Sequence, residues 1–202
     1  EAPAVMLVSP ELPVNDVAGL VALARSKPEG LSYGHGGNGT TTEHLAAEMF
    51  LGRAGIDMVA VPYKGGAAAM TDVMAGRLAM MFTNLLNAMP HVKAGRLKAL
   101  AIASPERSPA LPEVPTFAEA GFPDFSVSVW WGLMGPAGMP PAVVDKLNAE
   151  VEKVLHSDAF RQRLQTLNAQ PLGGTPQAFG KRFDAEIQSW AKTVKAAGIR
   201  IE

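Results

Sequence analysis

The 202-residue chain contains no cysteine. That excludes disulfides and thiolate metal sites, but places the chain in neither redox compartment. No apolar run approaches the roughly eighteen residues that would span a bilayer. Neither charge sign is in excess: 18 Lys and Arg stand against 19 Asp and Glu, for a net charge of −1. The strong basic bias of a nucleic-acid or anionic-surface binder is therefore missing, and no nucleic-acid partner is expected. Histidine is scarce. His35, His91 and His156 share no ligand spacing and no companion carboxylate, so no metal site is expected. There is no Gly-x-Ser-x-Gly elbow and no carboxylate pair marked for acid–base work, which speaks against a hydrolase. Internal repeats and low-complexity segments are absent. No presequence opens the chain, which enters an apolar strand almost at once. The expectation is that a presequence was absent, removed, or lost with more of the N-terminus.

What is present is an ordinary globular composition, 48% hydrophobic and 18% charged, suited to one large domain or two small ones. The densest chemistry lies in residues 31–51. A β-prone run, 31–35, meets a glycine- and hydroxyl-rich turn, 36–42, and an amphipathic helix then opens with Leu45 and Met49 one turn apart. Strand, glycine loop and helix N-terminus in that order suit an anion. The first-turn N–H groups lack intrahelical partners and the helix dipole favours negative charge there. Glycines allow close backbone approach, and threonine hydroxyls add hydrogen bonds. The loop fits neither a Walker A nor a Gly-x-Gly-x-x-Gly pattern. Its bland alternative is a tight turn in which Thr41 or Thr42 caps the helix.

Taken in order, residues 5–9 read as a strand, and Asn15 or Asp16 caps a helix to about Arg25 that Pro28 and Gly30 stop. After the 31–51 unit, 57–63 is a strand, 64–66 a loop and 67–75 a helix ended by Gly76. Residues 78–82 form a strand with Thr83 and Asn84 as its exit, 86–94 a helix, and 97–103 a strand. Strands alternating with helices imply βαβ units and a largely parallel sheet. Their continuously apolar character suits a sheet covered on both faces. Ligands bind such sheets outside the carboxyl ends of the strands. One rim should thus carry three polar loops, at 36–42, at 63–66 and at Thr83–Asn84.

The remainder differs in kind. A proline-rich connector, 104–115, leads to Thr116 and Glu119, which fit a capping box for a short helix ended by Gly121. An apolar β-prone stretch with Trp130 and Trp131 spans 125–134. Helical stripes follow at Val143, Leu147, Val151 and Val154, then at Phe160, Leu164 and Leu167. A brief strand is expected at 169–172. Thr175-Pro176 then starts a last helix carrying Phe179, Phe183, Ile187, Trp190 and Val194, with Gly198 as its end. Residues 125–202 hold too few strands for an α/β lobe of their own, so their striped helices need a sheet to cover.

Several motifs in fixed order now carry a resemblance. They are Gly37-Asn38-Gly39-Thr40 with Thr42-x-His44-Leu45, Val61-Pro62-Tyr63-Lys64-Gly65, and Lys93-Ala94-Gly95-Arg96-Leu97-Lys98-Ala99-Leu100-Ala101. Arg107-Ser108-Pro109-Ala110-Leu111-Pro112-x-Val114-Pro115-Thr116 and Gly132-Leu133-x-Gly135-Pro136-Ala137-Gly138 complete the set. From near residue 5 to the C-terminus the chain resembles the extracytoplasmic substrate-binding proteins of tripartite tricarboxylate transporters, often called Bug proteins. The resemblance implies an α/β, periplasmic binding protein type II-like fold with a parallel-rich sheet flanked by helices. It also implies a periplasmic location and closure on a small carboxylate that is handed to the permease subunits in the membrane. A full member is about half as long again, so the chain is expected to lack an N-terminal part. Residues 3–124 would be the complete second lobe. Residues 125–202 would be the return crossover and the C-terminal helices of an incomplete first lobe.

On this reading the ligand-binding residues are Gly36, Gly37, Asn38, Gly39, Thr40, Thr41, Tyr63, Thr83 and Asn84. The loop cradles a carboxylate through N–H and hydroxyl groups, with Tyr63 presenting a free hydroxyl and Asn84 a donor. Lys64 reads as a solvated loop tip and His44 as structural. Of the adjacent tryptophans, one faces the core and the other the cleft. No catalytic residue and no cofactor are expected. The rivals are an enzyme that uses the 36–42 loop as an anion cradle, and a receptor reporting to a membrane sensor. Exposed stripes beyond residue 141 make self-association an expectation.

Overall fold

The computed structural model describes residues 1–27, 30–37, 41–166, 169–196 and 198. Pro28, Asn38, Gly39, Thr40 and Leu167, named above, lie outside them. Strand β1 (Ala2–Val8) leads to α1 (Val17–Ser26), β2 (Ser32–His35), α2 (Thr42–Ala54) and β3 (Val59–Pro62). There follow α3 (Gly66–Met74), β4 (Met80–Asn84), α4 (Leu85–Lys93), β5 (Lys98–Ile102), β6 (Ser128–Val129), α5 (Pro141–His156), α6 (Asp158–Thr166) and α7 (Pro176–Ala196).

Local chemistry sets most of these boundaries. Asp16 caps α1 by accepting from the Gly19 N–H at 2.7 Å, and Thr41 caps α2 through the His44 N–H at 3.3 Å, both as short polar side chains do. Gly55, in the left-handed region at φ 59°, closes α2. Thr175 accepts from the Ala178 N–H at the start of α7.

The sheet has the order β3-β2-β4-β1-β5, with β6 beside the start of β1. β2 runs parallel to β3 and β4, but β1 is antiparallel to β4, β5 and β6. The sheet is therefore mixed: among the described residues β1 alone runs against the other five strands, a reversal that nothing in the sequence marks. A strand buried on both faces is a continuous apolar run whichever way it points, so its sequence does not encode direction. β1 is the buried centre. Ala4, Met6 and Val8 face a core with α1, α2 and the phenylalanines, while Val5 and Leu7 face a second core with α3 and α4, as period-two alternation dictates.

Three expectations are corrected. The 116–121 helix is only a capped turn: Thr116 N–H donates to Glu119 Oε2 at 2.7 Å and Glu119 N–H to Thr116 Oγ1 at 3.2 Å, so the capping box forms without a helix behind it. Residues 169–172 are not a strand. Gln170 instead exchanges two 2.8 Å hydrogen bonds with Glu1. Thr83 and Asn84 belong to β4 itself, paired with Val5 and Ala4, rather than to an exit loop.

Helix α5 has no buried residue, and Val143, Leu147 and Val154 on its stripe are 43–52% exposed. Helix α7 is tied down better. Trp190 packs on the α2 core, and Arg182 bridges Glu1 and Glu186 at 2.7 and 2.9 Å. Ser128 Oγ donates to Glu1, and Trp130 Nε1 to Glu186 at 2.6 Å. Because β1 runs against its neighbours, this network lies on the rim where β2, β3 and β4 end.

Candidate functional site

The three parallel strands β2, β3 and β4 deliver their carboxyl ends, and with them the starts of α2, α3 and α4, to one rim. Each helix brings first-turn N–H groups and the positive end of its dipole. The first two loops touch through backbone. A Cβ on Gly36 would lie 2.8 Å from the Gly66 nitrogen and 3.2 Å from the Gly65 carbonyl carbon. Only glycine lets the loops meet this closely. Beyond the strands, the Tyr63 N–H still donates to the His35 carbonyl at 2.9 Å, so the second loop is held in register with the first.

The structure sorts the sequence-selected residues. Gly36 and Gly37 are half-buried at the mouth of the first loop, and Thr41 sits at its end as the α2 cap. Asn38, Gly39 and Thr40 lie outside the described residues. Thr83 and Asn84 are both buried and, as neighbours on a strand, point to opposite faces. Asn84 caps α4, its Oδ1 accepting from the Asn87 N–H at 3.0 Å, which leaves its amide N–H groups to donate. The Tyr63 hydroxyl is not free as expected. It donates to Asp72, which also pairs with Arg77. That bond raises the Tyr63 pKa, so Tyr63 is left with its ring and a phenol oxygen to offer the rim. Trp130 packs edge-on to Phe179 at 5.4 Å, whereas Trp131 is 62% exposed. Beside Thr42, a cavity of about 340 Å³ opens between Ser128, Trp130 and the α7 residues Phe183, Glu186, Ile187 and Trp190.

Sequence reading missed the cluster behind the first loop. His35 and His44, both buried, stack with ring centroids 3.8 Å apart and planes 11° apart. Glu48 lies 3.8 Å from His44 and accepts from the Tyr33 hydroxyl. The spacing of His44 and Glu48, four apart on one helix, was a legible signal; His35 was not, because it reaches them across the loop. Burial, and then His44, hold the His35 pKa below its ordinary 6.5. Hydrogen bonding to His44 and then Tyr33 holds Glu48 below its ordinary 4.5, against the opposing effect of burial.

Both shifts make acid destabilising. As pH falls past 6.5, the unfolded chain takes up a proton at residue 35 before the folded chain does, so stability declines until the depressed folded pKa is passed. The Glu48 contribution is complete above 4.5 and is lost as pH falls through its lower folded value. Urea midpoints should therefore fall from pH 7.5 to 5.5 and fall again below 4.5. A midpoint flat across the first interval in wild type, or equally steep in His35→Asn, would remove the His35 assignment.

Among the described residues, no group of three or more His, Asp or Glu is placed to hold a metal, and no helix is long and apolar enough to cross a membrane.

Comparison with known proteins finds the same fold. The family model described as "Tripartite tricarboxylate transporter family receptor", TctC, matches residues 1–199. The chain is 36% identical over 193 residues to the UPF0065 protein of the tcbD-tcbE intergenic region of Pseudomonas sp. strain P51, covering 95% of this chain and 57% of that protein. It is 32% identical over 202 residues to BugT of Bordetella pertussis, covering 100% and 62%. Among solved structures, R. palustris Rpa4515 with adipate superposes with a TM-score of 0.89 at 37% identity, over 98% of this chain and 66% of that one. MatC of Rhodopseudomonas palustris with bound malate gives 0.85 at 30% identity, over 96% and 66%. The chain thus spans less than two thirds of the length of these curated relatives, and about two thirds of these structures. With the family model matched over nearly its whole length, the chain belongs to the TctC family of tripartite tricarboxylate transporter receptors.

Proposed function

We propose that the chain is the ligand-capturing part of a periplasmic solute-binding protein that takes up a small carboxylate for a tripartite tricarboxylate-type transporter and delivers it to the permease subunits. The observation that carries this reading is the rim, where three helix N-termini converge and the Gly36 loop is pressed against Gly65 and Gly66. Neutral donors, the N–H groups of the first loop and the Asn84 amide, would hold one carboxylate with no dedicated ion pair. The lobe division at about residue 124 goes with it. The buried residues of one core reach to Val127 and those of the other to Val114, while α5 buries nothing. The α5 stripe and exposed Trp131, Leu133 and Met134 are surface for the remaining third of the fold, or for a second copy where that third is missing. Binding rather than catalysis is supported by how the rim hydroxyls are used: Thr41 Oγ1 caps α2 and Tyr63 is bonded to Asp72.

Adipate and malate, the ligands of two similar proteins, are the probes. Amide NMR of the 202-residue chain should show shifts at Gly36, Gly37 and Thr41 with adipate at millimolar concentration, saturating weakly. A form extended to the length of its relatives should bind far more tightly and gain thermal stability in proportion to RT ln(1 + [L]/Kd), about 2.7 kcal/mol at one hundred times Kd. Stabilisation by nucleotides or phosphate alone would favour the enzyme reading. Micromolar adipate affinity in the 202-residue chain would show that no second jaw is needed.

A further inference from the structure

The stacked histidines stand directly behind the loop that the proposed function uses, and the binding reading gives them no task. His35 ends β2 and is 1% exposed; His44, in the first turn of α2, is 7% exposed. His35 Nδ1 lies 2.8 Å from the Gly37 carbonyl oxygen. A carbonyl only accepts, so Nδ1 carries the proton. In the neutral ring, favoured by the burial that depresses its pKa, Nε2 is then bare. The titratable groups facing this imidazole are Tyr33 from β2 and His44 and Glu48 from α2. His44 is anchored in turn: its backbone N–H donates to Thr41 Oγ1 at the far end of the loop, and its ring lies against Glu48, which the Tyr33 hydroxyl also holds.

The His35 imidazole and the His44 backbone thus reach the two ends of one glycine-rich loop, Gly37 and Thr41, and the two rings stack on each other. We propose that His35 is the positioning residue of the carboxylate loop, with His44 and Glu48 fixing its ring orientation and tautomer. Glycine-rich backbone has the most conformational freedom to lose, and binding must offset the cost of ordering it. A carbonyl fixed at the loop entrance removes part of that cost before the ligand arrives. This inference rests on the loop being the carboxylate cradle.

The test uses the 202-residue chain with adipate as the probe. Imidazole ¹⁵N spectra at pH 8 should show His35 as the Nδ1–H tautomer. His35→Ala should move the Gly37 carbonyl ¹³C resonance upfield, because its oxygen loses the hydrogen bond it accepts from Nδ1, while β5 carbonyls stay unchanged. His35→Asn places an amide nitrogen where Nδ1 was, so it should return the Gly37 carbonyl resonance toward the wild-type position. An Nε2–H tautomer, an unchanged Gly37 carbonyl resonance in His35→Ala, or failure of His35→Asn to restore it would overturn the proposal. If His35→Ala does not fold, the tautomer and the His35→Asn carbonyl resonance still decide it. Adipate should shift the loop amides more in wild type and His35→Asn than in His35→Ala. If adipate shifts no loop amide in any variant while the tautomer and the Gly37 carbonyl resonance behave as stated, the carboxylate reading fails and the positioning of the loop stands.

Discussion

Gly36→Ala is expected to lower adipate affinity by a factor of about ten to one hundred, the consequence of roughly 1–3 kcal/mol of overpacking at the rim. The added methyl would meet the Gly66 nitrogen at 2.8 Å and the Gly65 carbonyl carbon at 3.2 Å. Both are backbone atoms and have no rotamer to move into, so the first two loops must part. Parting them separates the α2 and α3 N-termini that the proposed site needs together, and it strains the Tyr63 N–H bond to the His35 carbonyl. The measurement pairs an adipate titration with a urea melt. Affinity should fall and the melt should shift by no more than the overpacking cost. Gly52→Ala is the control. It lies in α2 with nothing within 4 Å of the added Cβ, so it should leave binding alone and raise stability by about 0.5–1 kcal/mol, as glycine replacement inside a helix does. Unchanged adipate affinity in Gly36→Ala would mean that loop contact does not contribute to binding.

Phe117→Ala is expected to cost about 3–5 kcal/mol of stability, the range for emptying a phenylalanine site in a packed core. Phe117 is fully buried. It stacks on Phe125 at 4.3 Å and on Phe82 at 5.8 Å, and meets Phe50 and Phe122 edge-on at 5.9 and 6.2 Å. These rings come from β4, α2 and the turn beyond the proline-rich connector, so the cavity would be lined from several sides and slow to collapse. Against a typical total of about 5–15 kcal/mol, the loss would lower the urea midpoint substantially, and toward the bottom of that range it would abolish folding. It should also loosen the 116–121 turn and β6, which hang on this cluster through the Phe117 N–H bond to the Ile102 carbonyl and the Val127 N–H bond to the Ala103 carbonyl. A loss below about 1 kcal/mol, typical of a surface change, would show that the cluster is not packed in solution.

Much of the fold was legible because its determinants are local. Thr41 and Thr175 are short polar side chains one residue before their helices begin, and each caps its helix. Gly55 follows the last buried position of α2 and takes the left-handed turn. Where local signals were real but weak, the tertiary context overruled them. The capping box at Thr116 and Glu119 closes both of its hydrogen bonds, yet the chain is drawn off to pair Ile102 with Thr116 and to bury Phe117 before a helix can propagate. The rim was legible in outline. The share that each residue takes in it was not, because a hydroxyl such as that of Tyr63 is claimed by whichever partner the fold brings near, here Asp72 one helix on.

By itself the sequence determined most of the succession of strands and helices, the caps, the polar turns after β2 and β3 and the motif order that marks the family. All of these rest on hydrogen bonds and side-chain periodicity within a few residues. Only the tertiary structure decided that β1 runs against its neighbours between β4 and β5, and that Glu1 meets Arg182. It also decided that His35 and His44 stack behind the Gly36 loop. A buried apolar run reads the same in either direction, and partners distant in sequence become neighbours only once the chain has condensed around its core.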